Sequence, residues 1–310
     1  MEFWYAPSSW RAWLLAPLAV LYGLVVRAWH LAFDLGLRAP ARVAGAFVIS
    51  VGNLVVGGAG KTPVVIHLAQ EATRRGHRVA VLSRGYGRRL TSPLHFDSTR
   101  LPPVEVAGDE PRLIARRCPG VTVFVGGDRV ASARAATAMG ATLLILDDGF
   151  QHRRLARDVD LLVDAGEGNG WLLPAGPLRE PRAGRRRATH VWGRDGRPGD
   201  IEARHVVTHV RSPEGELLPA STLAGREVVL LLGVARPERV RASVEALGAR
   251  LRAVYAFADH HLFTAEELAR ARAAGDCLVT TEKDAERLPP GAAWVLVLET
   301  EVLRGTLPIP

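Results

Sequence analysis

Short apolar runs alternate with amphipathic stretches along most of the chain. The runs at residues 46–51, 78–82, 121–125, 142–146 and 159–163 are apolar on both faces of an extended strand. Buried parallel strands have this composition, because helices cover both faces of such a sheet. The residues at 63–74 have a helical pattern directly after the first run. The pattern therefore predicts an α/β fold built on a parallel sheet.

A second α/β region begins near residue 227. It contains strand patterns at 228–232, 254–257, 277–280 and 294–298, and helical patterns at 237–247 and 264–274. Thr264 and Glu267 have the spacing of a capping box, which predicts a helix start there. Residues 166–199 are rich in Gly, Pro and Arg and predict a loop-rich connection. The chain of 310 residues is long enough for two domains, which we place at 41–195 and 196–310, the second being the smaller.

The N-terminal region is strongly apolar. Residues 12–26 carry no charge, and aromatic residues flank them in the manner of an interfacial belt: Trp4, Tyr5, Trp10, Trp13 and Trp29. This uncharged run is shorter than the roughly 20 residues that span a bilayer as a helix. Residues 1–40 are therefore predicted to be a membrane anchor, interfacial or marginally spanning, with an amphipathic helix packed on the domain as the alternative. The run is followed by Arg27, Arg38 and Arg42, so a spanning helix would leave the body of the protein in the cytoplasm.

The net charge and the rarer residue types indicate the class of binding partner and the cellular compartment. A net charge of +8 predicts an anionic partner, either nucleic acid, anionic lipid or a phosphorylated substrate, with a solvated basic surface as the alternative. The aromatic residues concentrate in the N-terminal segment, and no ordered basic–aromatic groove is visible, so no nucleic-acid partner is expected. Cys118 and Cys277 match no metal-ligand spacing and fit a reduced compartment. Lys61 and Lys283 are the only lysines in the sequence.

Lys61 ends a glycine-rich loop between the first strand and the first helix of the sheet. This loop consists of Gly57, Gly58, Ala59, Gly60, Lys61, Thr62 and Pro63. Backbone N–H groups of such a loop surround a polyphosphate, the lysine contacts the β and γ oxygens, and the threonine hydroxyl binds Mg²⁺. Val55 occupies the position of the first glycine in the general pattern. The loop predicts binding of ATP or GTP with Mg²⁺.

Acidic residues follow other elements. An apolar strand ends in Asp147 and Asp148, where carboxylates often hold Mg²⁺ or its waters, although a helix N-cap is the alternative. Asp109 and Glu110 lie in a Gly-Asp-Glu-Pro turn. An aspartate there could accept a proton from a hydroxyl and a glutamate could bind metal, but the spacing alone favours an N-cap.

Histidines and arginines supply further candidates. The segment Ala258-Asp259-His260-His261 follows a strand, and one of its histidines could orient a catalytic carboxylate. Arginines in loops suit phosphate recognition because the guanidinium group matches two oxygens. Such loops contain Arg84, Gln151, Arg179 and Glu180, and surface charge is the competing interpretation for each.

Seven motifs occur together in one order: VGNLVVGGAGKTP, SRGYG, GDEP, DDGFQHRRLARD, GNGWLLPAGPLRE, ADHH and TTEKDA. As a set they resemble the tetraacyldisaccharide 4′-kinase family, from the hydrophobic N-terminus to about Leu288. The resemblance implies a kinase that moves the γ-phosphate of ATP to the 4′-hydroxyl of an anionic glycolipid, tetraacyldisaccharide 1-phosphate, to form lipid IVA. It also implies a monomer on the cytoplasmic face of the inner membrane of a Gram-negative bacterium, with the smaller domain closing over the active site.

The resemblance implies a role for each candidate residue. Asp109 is expected to be the base on the sugar hydroxyl, paired with His260 rather than His261. Lys61 and Thr62 are expected to serve phosphate and Mg²⁺. The other implied groups are Glu110, Asp147 and Asp148 for metal, and Arg84, Gln151, Arg179 and Glu180 for positioning the substrate.

Two questions stay open on the sequence. A P-loop GTPase or an assembly ATPase would share the glycine loop, but Thr281-Glu-Lys283-Asp284 is only a partial echo of a guanine-reading motif. Lys283 itself is either functional or part of a structural ion pair with Glu282 or Asp284.

Overall fold

A computed structural model of the protein describes residues 2–6, 9–89, 92–166, 168–194 and 196–310. Met1, Pro7 and Ser8 of the predicted anchor, and Glu167 and Asp195 of the predicted loop connection, lie outside the described residues. The chain folds into two compact units. The first unit comprises Met1–Arg84, Gly120–Arg204 and Val302–Pro310, and the second comprises Gly85–Pro119 and His205–Glu301.

The helices and strands have the following bounds in chain order. The strands are β1 Phe47–Gly52, β2 Val79–Ser83, β3 Leu94–Phe96, β4 Thr122–Val125, β5 Leu143–Asp147, β6 Val159–Val163, β7 His190–Arg194, β8 Ile201–Arg211, β9 Leu217–Pro219, β10 Glu227–Leu232, β11 Arg250–Ala256, β12 Cys277–Thr281 and β13 Trp294–Arg304. The α-helices are α1 Trp10–Asp34, α2 Lys61–Arg74, α3 Val104–Ala107, α4 Asp109–Arg117, α5 Arg129–Ala138, α6 Pro237–Ala246, α7 Ala265–Ala273 and α8 Glu282–Ala285. Short 3₁₀ helices cover Glu2–Trp4, Arg182–Arg187 and Ala220–Leu223.

A parallel sheet forms the core of the first unit, in the order β4-β2-β5-β1-β6-β7-β8. Strands β2, β5 and β6 are buried along their whole length. The register pairs Phe47 with Leu143 and Val51 with Asp147, so β1 and β5 end side by side. The predicted α/β fold class is confirmed. Because the carboxyl ends of parallel strands share one edge, the glycine loop after β1 lies beside the acidic pair at the end of β5.

A second parallel arrangement, β11-β10-β12-β13, forms the core of the second unit. Thr264 caps α7, and its hydroxyl and the Glu267 side chain make both hydrogen bonds of the predicted capping box. Helix α4 is attached within this unit by ion pairs, since Arg112 Nε lies 2.8 Å and Arg116 Nε 2.6 Å from the carboxylate of Glu286. The ion pairs hold the Gly-Asp-Glu-Pro turn at the start of α4 in place.

Helix α1 has 25 residues and is long and apolar enough to cross a membrane, with only 11% of its most apolar 18 residues buried. Its exposed apolar side chains include Trp13, Leu18 and Leu24. One edge contacts the loop at 171–180, where a Cβ on Gly23 would meet Leu172 at 2.7 Å. The helix is therefore attached to the first unit along a narrow stripe while most of its apolar surface is open. Membrane anchoring stays a prediction.

The prediction of a loop-rich connection over 166–199 is wrong in its second half. Residues Arg182–Arg187 form a 3₁₀ helix, and His190–Arg194 form strand β7 in the parallel sheet. This strand is short, and it includes Gly193, where a Cβ would lie 2.3 Å from the Arg197 carbonyl oxygen. A glycine and a terminal arginine weaken the apolar signal of a strand, which explains the error.

Candidate active site

The glycine loop has the geometry of a phosphate site. Gly57 and Gly60 have φ angles of 97° and 70°, in the left-handed region that glycine adopts without strain. The N–H of Ala59 donates to the Gly57 carbonyl oxygen at 2.7 Å, and α2 begins at Lys61 directly after the loop. The positive end of the helix dipole therefore faces the loop, as anion binding requires.

Lys61 reaches two neighbouring groups at this edge of the sheet. Its Nζ lies 3.1 Å from Asn53 Oδ1 and 3.3 Å from Asp148 Oδ1. Arg179 NH1 donates to the other oxygen of Asp148 at 2.7 Å. Burial alone would raise the pKa of Asp148, but Lys61 and Arg179 hold it far below its usual range. Two cations around one carboxylate leave a positive excess, which suits a polyphosphate.

Asp147 differs from its neighbour. Its carboxylate is buried and accepts a hydrogen bond from the Ser83 hydroxyl at 3.0 Å. Asp148 adopts a φ of 53°, so the chain turns sharply at the end of β5 and the two side chains point into different surroundings. Arg129 NH2 also donates to the Asp147 backbone carbonyl oxygen at 3.4 Å, so a serine and an arginine hold the end of β5.

The predicted positioning residues fall into two kinds. Glu180 is fully buried, and Gln151 Nε2 and Arg187 NH2 each donate to it at 2.9 Å. Burial alone would raise its pKa, but hydrogen bonds from His30, Arg187 and Gln151 hold the pKa of Glu180 below its usual range. Gln151 also donates to the Asn53 carbonyl oxygen at 2.9 Å, so both residues frame the site. Arg84, in contrast, has an exposed side chain.

Several residues of this framework are not among those predicted from the sequence. Asn53 contacts Lys61. Arg194 NH1 donates to the Ala59 carbonyl oxygen at 2.7 Å and so anchors the glycine loop. Tyr22 Oη donates to the Arg179 carbonyl oxygen at 2.7 Å. A polar tyrosine and histidine inside the apolar N-terminal segment were a signal that this helix makes specific contacts.

The structure brings Asp109 and His260 together within the second unit. His260 Nδ1 lies 2.9 Å from Asp109 Oδ2 and 3.1 Å from Oδ1. Asp109 is buried at the first position of α4, and Arg287 Nε lies 3.6 Å from its carboxylate. Burial alone would raise the pKa of Asp109, but His260, Lys283 and Arg287 hold it below its usual range. The hydrogen bond that the His260 ring donates to Asp109 raises the pKa of His260.

His261 has a different environment. Its Nε2 lies 2.9 Å from Glu267 Oε2, and its ring stacks on Phe257 with centroids 4.4 Å apart. The adjacent His260 has a φ of 63°, which turns the two rings to different sides. The geometry therefore pairs His260, and not His261, with Asp109. Glu110 extends from the same turn, with Oε1 3.0 Å from Lys283 Nζ.

The chemistry of the candidate residues divides between the units. Lys61, Thr62, Asp147, Asp148 and Arg179 belong to the first unit, where the loop and its cations suit a nucleotide polyphosphate. Asp109, Glu110 and His260 belong to the second unit, where an ionised carboxylate with a histidine partner suits proton acceptance from a hydroxyl. The two sets of groups are those that phosphoryl transfer to an alcohol needs.

Comparisons with known proteins agree with this chemistry. The family model described as tetraacyldisaccharide-1-P 4′-kinase matches residues 11–306. A tetraacyldisaccharide 4′-kinase of Anaeromyxobacter dehalogenans strain 2CP-1 is 46% identical, with 88% of this chain and 82% of the relative covered. One from Rhodospirillum centenum is 44% identical, with 93% of this chain and 87% of the relative covered.

A solved structure is also similar. The crystal structure titled as the "apo" form of LpxK from Aquifex aeolicus in complex with ATP has a TM-score of 0.78 and 31% sequence identity. It covers 94% of this chain, and 95% of its own chain is matched.

Proposed function

The chain belongs to the tetraacyldisaccharide-1-P 4′-kinase family, and we propose that it transfers the γ-phosphate of ATP to the 4′-hydroxyl of tetraacyldisaccharide 1-phosphate. The product is lipid IVA, a precursor of lipid A. The observation that carries this proposal is the pairing of Asp109 with His260 in a chain that also has a phosphate loop. Such a carboxylate suits proton acceptance from an alcohol, which is the acceptor that a kinase of this family needs.

In this proposal the two sets of residues have separate tasks. Lys61 and Arg179 neutralise charge on the phosphoryl oxygens. Asp148 keeps both cations in position through its two ion pairs. Asp109 accepts the proton of the 4′-hydroxyl as the oxygen attacks the γ-phosphorus, and the β–γ bridging oxygen leaves with ADP. His260 orients the Asp109 carboxylate through its Nδ1 hydrogen bond. Gln151 and Glu180 position the loop that carries Arg179.

The residues present also fit Mg²⁺. This ion prefers hydroxyl and carboxylate oxygens and keeps several other oxygen ligands from substrate phosphates and water. Thr62 in the first turn of α2 and Asp147 at the end of β5 offer such oxygens at the edge of the sheet where the glycine loop lies. In the part of the chain that the structure describes, no group of three or more His, Cys, Asp or Glu residues is placed to hold a metal alone. We propose Thr62 and Asp147 as the protein ligands of a nucleotide-bound Mg²⁺, which neutralises phosphate charge.

Helix α1 suits an enzyme whose acceptor is a membrane lipid. The helix is long, apolar and mostly exposed, so a bilayer or its interface would cover surface that water does not favour. We propose that it holds the enzyme on the cytoplasmic face of the inner membrane of a Gram-negative bacterium, where it works as a monomer. The arginines that follow the apolar run suit the anionic membrane surface and glycolipid.

The test is transfer of labelled γ-phosphate from ATP to tetraacyldisaccharide 1-phosphate in detergent micelles. Wild-type protein should form labelled lipid, and Lys61→Ala and Asp109→Ala should each lose most of this activity. Arg74→Gln and Asp97→Asn are matched controls, since they remove a charge from the same units outside the proposed site. ADP release by wild type without any labelled lipid would reject the kinase in favour of an assembly ATPase. Full activity of Asp109→Ala would reject the proposed base.

A further inference from the structure

Lys283 is mostly buried, unlike a typical surface lysine. It lies in α8, directly after strand β12, with 18% of its side chain exposed. Its Nζ lies 3.0 Å from Glu110 Oε1 and 3.0 Å from Asp259 Oδ1. One carboxylate comes from the start of α4 and the other from the loop that carries His260, so the lysine joins both parts of the Asp109–His260 pair.

The third neighbour of Lys283 is the His260 ring, whose Nε2 lies 3.4 Å from Nζ. A lysine ammonium group donates hydrogen bonds and accepts none. If Nε2 carried a proton, its N–H would therefore point at an N–H of the lysine, and neither group could accept. An unprotonated Nε2 instead accepts a hydrogen bond from Lys283. In the neutral ring that leaves the proton on Nδ1, which lies 2.9 Å from Asp109 Oδ2.

We propose that Lys283 is a positioning residue that selects the Nδ1–H tautomer of His260, so that the ring donates to Asp109 and aims its carboxylate at the substrate hydroxyl. The inference rests on the proposed phosphoryl transfer, in which Asp109 accepts the hydroxyl proton. Lys283 touches neither reactant in this scheme and acts through His260. Lys283 therefore has a specific role in this scheme, as Lys61 does.

The framework around Lys283 fixes its position relative to the ring. Its neighbour Asp284 is fully buried and accepts hydrogen bonds from the Gly233 N–H at 3.1 Å and the Thr281 hydroxyl at 2.8 Å. The Gly233 carbonyl oxygen accepts from the backbone N–H of His260 at 3.2 Å. Gly233 therefore ties the helix that carries the lysine to the residue that carries the ring.

The surrounding charges keep Lys283 a donor. Burial alone would lower the pKa of Lys283, but Glu110, Asp109 and Asp259 raise it above its usual value. Arg287 is the other cation at this site, and it also pairs with Asp284. A structural ion pair would share these contacts, but it would not require a particular tautomer of His260.

The deciding measurement is the ¹⁵N NMR spectrum of histidine-labelled full-length protein, recorded where the His260 ring is neutral. His260→Gln assigns the signals. Wild type should show an unprotonated Nε2 at His260, and Lys283→Met should move the population toward Nε2–H. Arg241→Met is the matched control, because Arg241 forms an exposed ion pair with Glu245 elsewhere in the second unit. An Nε2–H ring in the wild type would overturn the proposal and needs no variant to be seen.

Kinetics separate positioning from folding. Lys283→Met should lower kcat roughly 10-fold or more, with the KM for ATP unchanged, as expected for impaired proton acceptance. Lys283→Arg keeps a cationic donor and should retain the tautomer and more of the activity, even where Lys283→Met fails to fold. Adding Lys283→Met to His260→Gln should cause no further loss of kcat. A further loss of about 10-fold would show that Lys283 acts by another route and would overturn the proposal.

The NMR spectrum and the kinetic assay distinguish failure of the proposed function from failure of the role of Lys283. The expected tautomer in a wild type that transfers no phosphate would reject the proposed function and not the hydrogen-bond assignment. An active wild type whose folded Lys283→Met variant keeps both its kcat and its His260 tautomer would reject the role of Lys283 and leave the kinase intact.

Discussion

His30 of helix α1 lies with its Nε2 3.1 Å from Oε2 of Glu180, although the two residues are far apart in the chain. Glu180 is fully buried and follows Arg179, whose guanidinium group pairs with Asp148 beside Lys61. The apolar helix is therefore hydrogen-bonded to the loop that brings a cation to the phosphate site. We expect this attachment to influence the position of Arg179 and therefore catalysis.

We expect His30→Ala to impair catalysis without releasing the protein from membranes. The substitution removes one partner of a buried carboxylate, which costs about 1–3 kcal/mol and loosens the loop at 171–180. The kcat/KM for ATP should fall roughly 10-fold, because Arg179 loses its fixed position. Leu24→Ala, an exposed position on the same helix, is the control. Vesicle sedimentation together with the kinase assay checks this, and a variant that keeps its kcat/KM but detaches would contradict it.

Gly52 at the end of β1 is expected to tolerate no side chain. A Cβ at this position would lie 2.5 Å from the Phe150 Cβ and 2.7 Å from the Phe150 backbone nitrogen. Gly52→Ala should therefore separate β1 from the turn after β5, at a cost of about 1–3 kcal/mol. Because β1 leads into the glycine loop, ATP binding should weaken as well. Urea unfolding and nucleotide titration measure both effects.

Gly127 provides the matched control for that substitution. A Cβ there would meet no atom within 4 Å, so Gly127→Ala should leave stability and ATP binding nearly unchanged. Equal behaviour of the two variants would show that the approach of Phe150 to β1 does not constrain the loop.

The local parts of the site follow from the sequence, because each depends on a few consecutive residues. The apolar run before Gly57 and the helical pattern after Thr62 are sufficient to place the glycine loop between β1 and α2. The spacing of Thr264 and Glu267 gives the start of α7 in the same way. Local pattern places both features in the chain, although a distant residue, Arg194, also contacts the glycine loop.

The pairings across the chain do not follow from local pattern. The contact of His30 with Glu180 joins residues of an apolar helix and a loop, and the contact of Lys283 with Glu110 spans 173 positions. Segment Gly85–Pro119 belongs to the second compact unit although its neighbours in sequence on both sides belong to the first. Tertiary packing sets these relationships, and a single sequence shows only that charged and polar residues are present.

Both thiols are expected to be unreactive in the folded protein. Cys118 and Cys277 are buried, and burial raises the pKa of Cys118 to about 12 and raises that of Cys277 as well. Since the thiolate is the nucleophile, neither should react with a disulfide reagent near neutral pH until the protein is unfolded in urea. Ser221→Cys, an exposed position, should add one fast-reacting thiol and serve as the positive control. Rapid labelling of the native wild type would contradict the burial.

Acidification should destabilise the protein partly through His152. Burial and the nearby arginines Arg129, Arg157, Arg154 and Arg84 lower its pKa from 6.5 to about 4. Below the unfolded pKa the unfolded chain binds a proton that the folded chain does not, so stability falls as the pH drops from 6.5 towards 4. His152→Gln removes this contribution, and its melting temperature should fall less than that of wild type, by roughly 2–4 °C, between about pH 7.5 and about pH 5. His95→Gln, at an exposed histidine, should melt like the wild type at both values, and an unchanged acid response of His152→Gln would assign the loss to other groups.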